Sequence, residues 1–230
     1  MDIVIDSLLR GAKNSKGIVV IVDVFRCFTT EAVAFNNGAE KIILVATVEE
    51  AIELKKLGAG DILMGEISGK KPNGFDFGNS PAEIREVDFS GKTIIQSTRA
   101  GTVGVASASD ADMIFGGSFV VASATAEMIK SYSPDLVTIV AMGLEASIRS
   151  DEDEQCALFI RNLLQGRYPD IEAIKNLVLS GEEAQKYGNA ETPHWPIQDL
   201  DFCLDVDLFQ VALKIEKEEG LLVCRPKQLV

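Results

Sequence analysis

The chain has little of the material from which several common sites are built. It contains one histidine, and its four cysteines, Cys27, Cys156, Cys203 and Cys224, form no C-x-x-C pair. These shortages exclude a histidine metal cluster and argue against a structural zinc site or a redox dithiol. We therefore expect reduced, partly buried thiols.

Two nucleotide-binding patterns are also missing. Residues 90–93 resemble the end of a P-loop, but Glu86 stands where the first glycine belongs, and Lys92 begins a predicted strand instead of a helix. No G-x-G-x-x-G follows a predicted strand. The first absence excludes a P-loop at this position, and the second argues against a dinucleotide-dependent reductase.

Basic patches and long apolar runs are absent as well. The 230 residues carry a net charge of −13, so the surface repels nucleic acid and anionic lipid. No apolar run approaches the roughly 20 residues of a membrane span, and the start of the chain lacks the pattern of a signal peptide. We expect a cytoplasmic protein with no nucleic-acid or membrane partner, and a homodimer as the default assembly.

Apolar runs that predict strands alternate with amphipathic stretches that predict helices, which indicates an α/β fold with a largely parallel sheet and flanking helices. The predicted strands are 18–22, 41–46, 61–64, 93–96, 113–115 and 136–141, and the predicted helices are 29–37, 48–57, 102–107, 122–131 and 151–165. The C-terminal portion reads as helical, at 171–179, 181–187 and 204–218, before a short strand at 221–224. We predict a single unit over 1–230, with two sub-domains dividing near 90–100 as the open alternative.

Polar side chains follow five of the predicted strands, where parallel sheets place their ligand sites. The five segments are Asp23, 65–66, 98–99, 117–118 and 143–145. We expect these strand ends to face one crevice.

The segment after strand 18–22 combines groups suited to phosphate chemistry. Asp23 could hold a divalent ion, while Arg26 and the hydroxyls of Thr29 and Thr30 could surround phosphate oxygens. In a simpler interpretation, Asp23 caps the next helix and Arg26 pairs with an acidic neighbour.

Other segments offer metal ligands or anion donors, each with a structural alternative. Glu66 and Asp76 are hard oxygen ligands, although loop turns explain the glycines beside them. The turn that holds Thr98, Arg99, Gly101 and Thr102 could cradle an anion. The acidic residues 151–154 favour a helix N-terminus, although Glu152 or Asp153 could still reach a metal.

Together these motifs resemble those of the 2-phosphosulfolactate phosphatase (ComB) family. The matching motifs keep the family's order from about residue 18 to 163, and the string Gly-Phe-Asp-x-Gly-Asn-Ser-Pro at 74–81 is the most specific of them. The others are Asp23–Arg26 with Thr29 and Thr30, 65–66, 98–102, 117–119 with 122–124, and 152–157.

The resemblance implies a three-layer α/β fold and a Mg²⁺-dependent phosphatase that hydrolyses the phosphate monoester of a small sulfonated hydroxy acid, a step associated with coenzyme M synthesis. Mg²⁺ would be held by carboxylates chosen from Asp23, Glu66, Asp76, Glu152 and Asp153. Arg26 and Arg99 would neutralise phosphoryl charge, and the substrate contacts would come from Thr29, Thr30, Asn79, Ser80, Thr98, Gly101, Thr102 and Ser118.

The sequence departs from the family at three positions. Ala100 and Val121 stand where asparagine is common, and Leu144 stands where arginine is common. These losses of polar groups bear more on sulfonate recognition than on phosphate hydrolysis. The replacements at Ala100 and Val121 also motivate an alternative function, a non-catalytic module that senses or binds a small anion.

Two expectations about individual side chains follow. Asp23 is either a metal ligand or a nucleophile that forms an aspartyl phosphate, and the sequence leaves both open. Arg26→Ala is expected to reduce turnover far more than it reduces folding stability.

Overall fold

The computed structural model describes residues 1–229, which form one nine-stranded sheet in the order β1-β7-β2-β6-β8-β9-β3-β5-β4. Neighbouring strands are parallel except where β8 and β9 pair with each other and with their neighbours β6 and β3. The strands are β1 Asp2–Ser7, β2 Gly17–Val22, β3 Lys41–Val45, β4 Ile62–Gly65, β5 Thr93–Ser97, β6 Ala111–Gly117, β7 Leu136–Ala141, β8 Ala212–Glu218 and β9 Leu221–Lys227.

Helices cover both faces of the sheet, which confirms the three-layer α/β prediction. Along β2, Val19 and Ile21 belong to one buried apolar cluster, whereas Val20 and Val22 belong to another on the opposite face. The helices are α1 Leu8–Asn14, α2 Cys27–Asn36, α3 Val48–Lys56, α4 Pro81–Ile84, α5 Gly101–Ser107, α6 Ala122–Ser131, α7 Asp151–Leu164, α8 Ile171–Ser180 and α9 Gln198–Cys203. Among residues 1–229, no helix has both the length and the apolar character that a membrane crossing requires.

All six predicted central strands and the short strand at 221–224 are present, but the helix predicted over 204–218 is wrong. Its second half is β8, which forms a hairpin with β9 through Glu219 and Gly220. Both turn residues have positive φ, 50° and 90°, as the tight turns that join paired strands require. Lysine and glutamate favour helices, but here tertiary pairing overrides that local preference.

The β8–β9 hairpin joins two parallel groups of strands into a continuous sheet. One group holds β1, β7, β2 and β6, and the other holds β3, β5 and β4. The predicted 181–187 helix is a single 3₁₀ turn at Ala184–Lys186. The N-terminal elements β1 and α1 were not predicted. The sub-domain boundary near 90–100 stays a prediction.

The close packing of α2 on the sheet depends on Gly116 in β6. A Cβ atom added there would overlap the ring of Phe28, which is fully buried. Gly116→Ala should therefore lower the free energy of unfolding by about 1–3 kcal/mol, measured by urea denaturation. In the double variant Gly116→Ala/Phe28→Leu the smaller leucine side chain should relieve the overlap. The double variant should therefore lose less free energy of unfolding than the sum of the losses in the two single variants. Strict additivity would show that this contact does not limit the packing.

Candidate active site

Loops from both groups of strands line one cavity of about 220 Å³. Four of the five predicted strand ends contribute to it: Asp23 after β2, Glu66 after β4, Arg99 after β5 and Gly143 after β7. The fifth does not, because the Ser118 side chain is fully buried outside this lining. The shared crevice is therefore confirmed for four strand ends.

Asp23 connects the two groups of strands. Its Oδ1 accepts a hydrogen bond from the Cys27 amide at 3.2 Å, and its Oδ2 accepts one from the Gly101 amide at 2.7 Å. The side chain is only 6% exposed. Burial raises the pKa of Asp23 to about 6, because desolvation disfavours the carboxylate more than these amide donors stabilise it.

Glu152 and Asp153 lie in the first turn of α7 and point inward. Asp153 accepts hydrogen bonds from the amides of Val24 at 2.7 Å and Gly143 at 2.8 Å, so it joins the loops after β2 and β7. Burial raises the pKa of Asp153 well above its usual range, and the charges of Glu152 and Asp23 add to this effect. Burial likewise raises the pKa of Glu152 to about 7.

Glu66 and Arg99 meet at the opposite wall of the cavity. Glu66 accepts hydrogen bonds from the backbone amides of Arg99 and Gly69, both at 2.8 Å. The side chain of Arg99 is exposed and has no ion pair within the described residues. It is therefore available to an anion that enters the cavity.

Arg26 lines the cavity but is committed to an acidic partner that the sequence did not reveal. Its Nη1 donates to Asp199 at 2.6 Å, with the two side chains 3% and 0% exposed. This confirms that Arg26 pairs with an acid, although the partner is 173 residues away. Removing either member would leave a buried charge unpaired and lower the free energy of unfolding by about 3–5 kcal/mol. Arg26→Ala would therefore affect folding as well as turnover. The buried pair with Asp199 therefore argues against the expectation that this variant reduces turnover far more than folding stability.

The structure does not bring Asp76 to the other four acidic side chains. Asp76 is exposed, and it accepts hydrogen bonds from Lys55 Nζ at 2.5 Å and from the Leu63 amide at 2.8 Å. It lies outside the cavity lining, so its prediction as a metal ligand finds no support in the geometry.

Four of the six predicted substrate-binding hydroxyls, those of Thr29, Ser80, Thr98 and Thr102, hydrogen-bond within the protein instead. Thr98 and Thr102 hydrogen-bond to each other, and Thr29 Oγ1 donates to the Val24 carbonyl at 3.0 Å. Ser80 caps α4 and donates to Asp199. The buried Oγ1 of Thr30 has no hydrogen-bond partner among the described residues.

Two of the predicted substrate contacts do reach the site. Asn79 lines the cavity, and its Oδ1 accepts from Gln96 Nε2 at 3.3 Å. The backbone amide of Gly101 also reaches the site, where it donates a hydrogen bond to Asp23.

The remaining wall comes from a C-terminal segment that no motif marked. It contributes Glu183, Lys186, Tyr187 and Trp195. Lys186 Nζ lies 2.5 Å from Glu183 Oε1 and 5.6 Å from the centre of the Trp195 ring. The ring of His194 lies beside that of Trp195, with centroids 4.3 Å apart.

Acidic groups outnumber basic groups around the cavity. Asp23, Glu66, Glu145, Glu152, Asp153 and Glu183 face Arg26, Arg99 and Lys186, of which Arg26 and Lys186 already have acidic partners. Among residues 1–229, no three acidic, thiol or imidazole groups converge closely enough to hold a metal ion by themselves. The cavity is thus acidic, and in the described part of the chain Arg99 is the one cation of its lining that has no acidic partner.

Comparison with known proteins identifies the family. The model of the 2-phosphosulpholactate phosphatase family matches residues 4–218. The chain belongs to this family.

Its relatives include proteins named probable 2-phosphosulfolactate phosphatase from three bacteria. That of Caldicellulosiruptor saccharolyticus is 38% identical over 82% of this chain and 84% of its own length. That of Carboxydothermus hydrogenoformans is 34% identical over 96% of this chain and 94% of its own length. That of Bacillus subtilis is 29% identical over 87% of this chain and 88% of its own length. The family resemblance predicted from the motifs is therefore confirmed.

Two of the three departures from the phosphatase family lie at the cavity. Ala100 and Leu144 line it, whereas Val121 is fully buried in the apolar core. Only the first two replacements can therefore change direct contacts with a ligand.

A further acidic side chain, Glu31 of α2, is fully buried behind Asp23. Its Oε1 accepts a hydrogen bond from the Cys27 thiol at 3.6 Å, and its Oε2 has no partner within the described residues. Burial raises the pKa of Glu31 from 4.5 to about 8. This side chain is therefore largely protonated at neutral pH.

Glu31→Gln should make stability less dependent on pH. The folded state holds an extra proton at Glu31 between the unfolded pKa of 4.5 and the folded pKa of about 8. The free energy of unfolding should therefore fall as pH rises through this window, by at most about 1.4 kcal/mol per pH unit for this group. Glutamine mimics the protonated form and should remove that share of the slope. Urea denaturation between pH 5 and 8.5 in EDTA measures it, with exposed Glu127→Gln as the control, and identical slopes would contradict the assignment.

Proposed function

We propose that the protein is a phosphoric monoester hydrolase that acts with Mg²⁺ on a small acidic metabolite similar to 2-phosphosulfolactate. The observation that carries the proposal is the convergence of Asp23, Glu66, Glu152 and Asp153 with Arg26 and Arg99 in one cavity. The names of the relatives support the same reaction class.

The residues present fit a magnesium ion. Asp23, Glu152 and Asp153 are buried, and Arg26, the buried cation beside them, is paired with Asp199. Uncompensated buried carboxylates favour a bound cation, and carboxylate oxygens are the ligands that Mg²⁺ prefers. Mg²⁺ usually keeps several waters and uses one or two carboxylates, so it does not require three converged protein ligands. When bound, it would polarise the phosphoryl group of the substrate.

The chain's own groups supply the remaining functions. In direct hydrolysis a water oxygen bonds to phosphorus and gives up a proton, the ester P–O bond breaks, and the leaving alcohol oxygen takes up a proton. If a carboxylate attacks first, the same ester bond breaks to give an aspartyl phosphate, and water then attacks its phosphorus, which releases inorganic phosphate and restores the carboxylate. Asp23, with a pKa of about 6, is mostly ionised at neutral pH and can act as nucleophile, base or metal ligand. Glu152, with a pKa of about 7, can give or take a proton near neutrality. Arg99 and the Arg26 N–H groups that remain would bind phosphoryl oxygens.

The cytoplasm is the compartment we infer. All four cysteines are buried and free, as is usual where thiols are kept reduced.

A phosphate-release assay tests the function. The purified protein should release inorganic phosphate from 2-phosphosulfolactate in Mg²⁺ and lose this activity in EDTA. A panel of related monoesters without the sulfonate, such as 2-phospholactate, would show how far Ala100 and Leu144 have altered acid recognition. Binding of the monoesters without release of phosphate would favour the anion-binding module instead.

Arg99→Ala should separate catalysis from folding. Because this side chain is exposed and unpaired within residues 1–229, its removal should change the free energy of unfolding by less than about 0.5 kcal/mol. Loss of a charge-assisted contact to the phosphoryl group should lower kcat/KM by about 10- to 100-fold. Arg10→Ala, at an exposed arginine of α1 away from the cavity, is the control. Equal kcat/KM in both variants would remove Arg99 from the mechanism.

A further inference from the structure

Three acceptors hold the guanidinium of Arg26, and none of them is an acidic side chain of the cavity lining. Nη1 donates to Asp199 Oδ2 at 2.6 Å and to the His194 carbonyl at 3.0 Å, and Nη2 donates to the Gly69 carbonyl at 3.3 Å. A guanidinium has five N–H donors, so two remain for a ligand.

Asp199 is itself fixed from its other side. Its Oδ1 accepts from Ser80 Oγ at 2.7 Å and from the Ala82 amide at 3.0 Å, and the side chain is inaccessible to solvent. The carboxylate therefore holds one position between the start of α4 and Arg26.

Arg26 has other acidic groups within electrostatic reach. It shares the cavity lining with Asp23, Glu66, Glu152 and Asp153, and its charge acts on Asp23. A buried guanidinium without a partner is costly, so loss of Asp199 would drive Arg26 toward one of these carboxylates. There it would compete with any cation that binds them.

We propose that Asp199 is a positioning residue that keeps the Arg26 guanidinium away from the acidic side chains of the cavity, so that these remain available to a divalent cation. The part that concerns the cation rests on the proposed function; the placement of Arg26 does not.

Asp199→Asn tests both parts without an activity assay. In metal-free crystals, the Arg26 guanidinium should leave residue 199 and contact Asp23, Glu66, Glu152 or Asp153. In calorimetric titrations with Mg²⁺, the variant should bind at least tenfold more weakly than the wild type. Asp201→Asn, at an exposed position of the same helix, should match the wild type in both measurements.

A guanidinium that stays in place, or Mg²⁺ affinity within twofold of the wild type, would overturn the proposal. Neither measurement depends on phosphate release, so failure of the proposed reaction would be seen separately.

A double variant keeps the proposal testable if Asp199→Asn does not fold. Arg26→Met/Asp199→Asn leaves no unpaired charge in the buried pair, which favours folding. Because the competing guanidinium is gone, this variant should bind Mg²⁺ within twofold of the wild type. A tenfold loss would mean that Asp199 supports the cation site in some way other than through Arg26, and would overturn the proposal.

Discussion

The burial of like charges at the strand ends is the constraint on which the site depends. Asp23, Glu152 and Asp153 are nearly inaccessible, and desolvation raises the pKa of each. Backbone amides hold Asp23 and Asp153 in place, but amides are dipoles and leave the net charge uncompensated. Burying carboxylates without a countercharge is expensive, so this arrangement favours a bound cation or protonation.

The same hydrogen bonds explain how distant loops form one cavity. The bond from Gly101 to Asp23 links the loop after β5 to the loop after β2, although three strands separate β2 from the pair β3 and β5 in the sheet. Asp199 then ties the C-terminal segment to Arg26, which places Trp195 and Lys186 on the cavity wall. The site is therefore assembled by long-range contacts, and its geometry depends on the whole sheet.

The sequence predicted the parallel strands and most of the cavity acids because both follow local rules. Runs such as β2 are continuously apolar, and parallel sheets place ligands at their carboxyl ends. The sequence favours a helix at β8 because its lysines and glutamates are helix formers, although Gly220 marks a turn between β8 and β9. The pairing of Asp199 with Arg26 could not be predicted, because no sequence-spacing rule links two residues this far apart. Asp76 was assigned from its motif, and its bond to Lys55 is likewise a tertiary contact.

The proposed cation and phosphoryl sites are tested most directly by a crystal structure with Mn²⁺ in place of Mg²⁺ and vanadate in place of the phosphoryl group. Anomalous scattering from Mn²⁺ locates the cation without reference to any assumed ligand. The account predicts one peak within bonding distance of at least one of Asp23, Glu66, Glu152 and Asp153, with vanadate between that ion and the side chains of Arg26 or Arg99. A cation or vanadate bound elsewhere, with this cavity left to water, would contradict it.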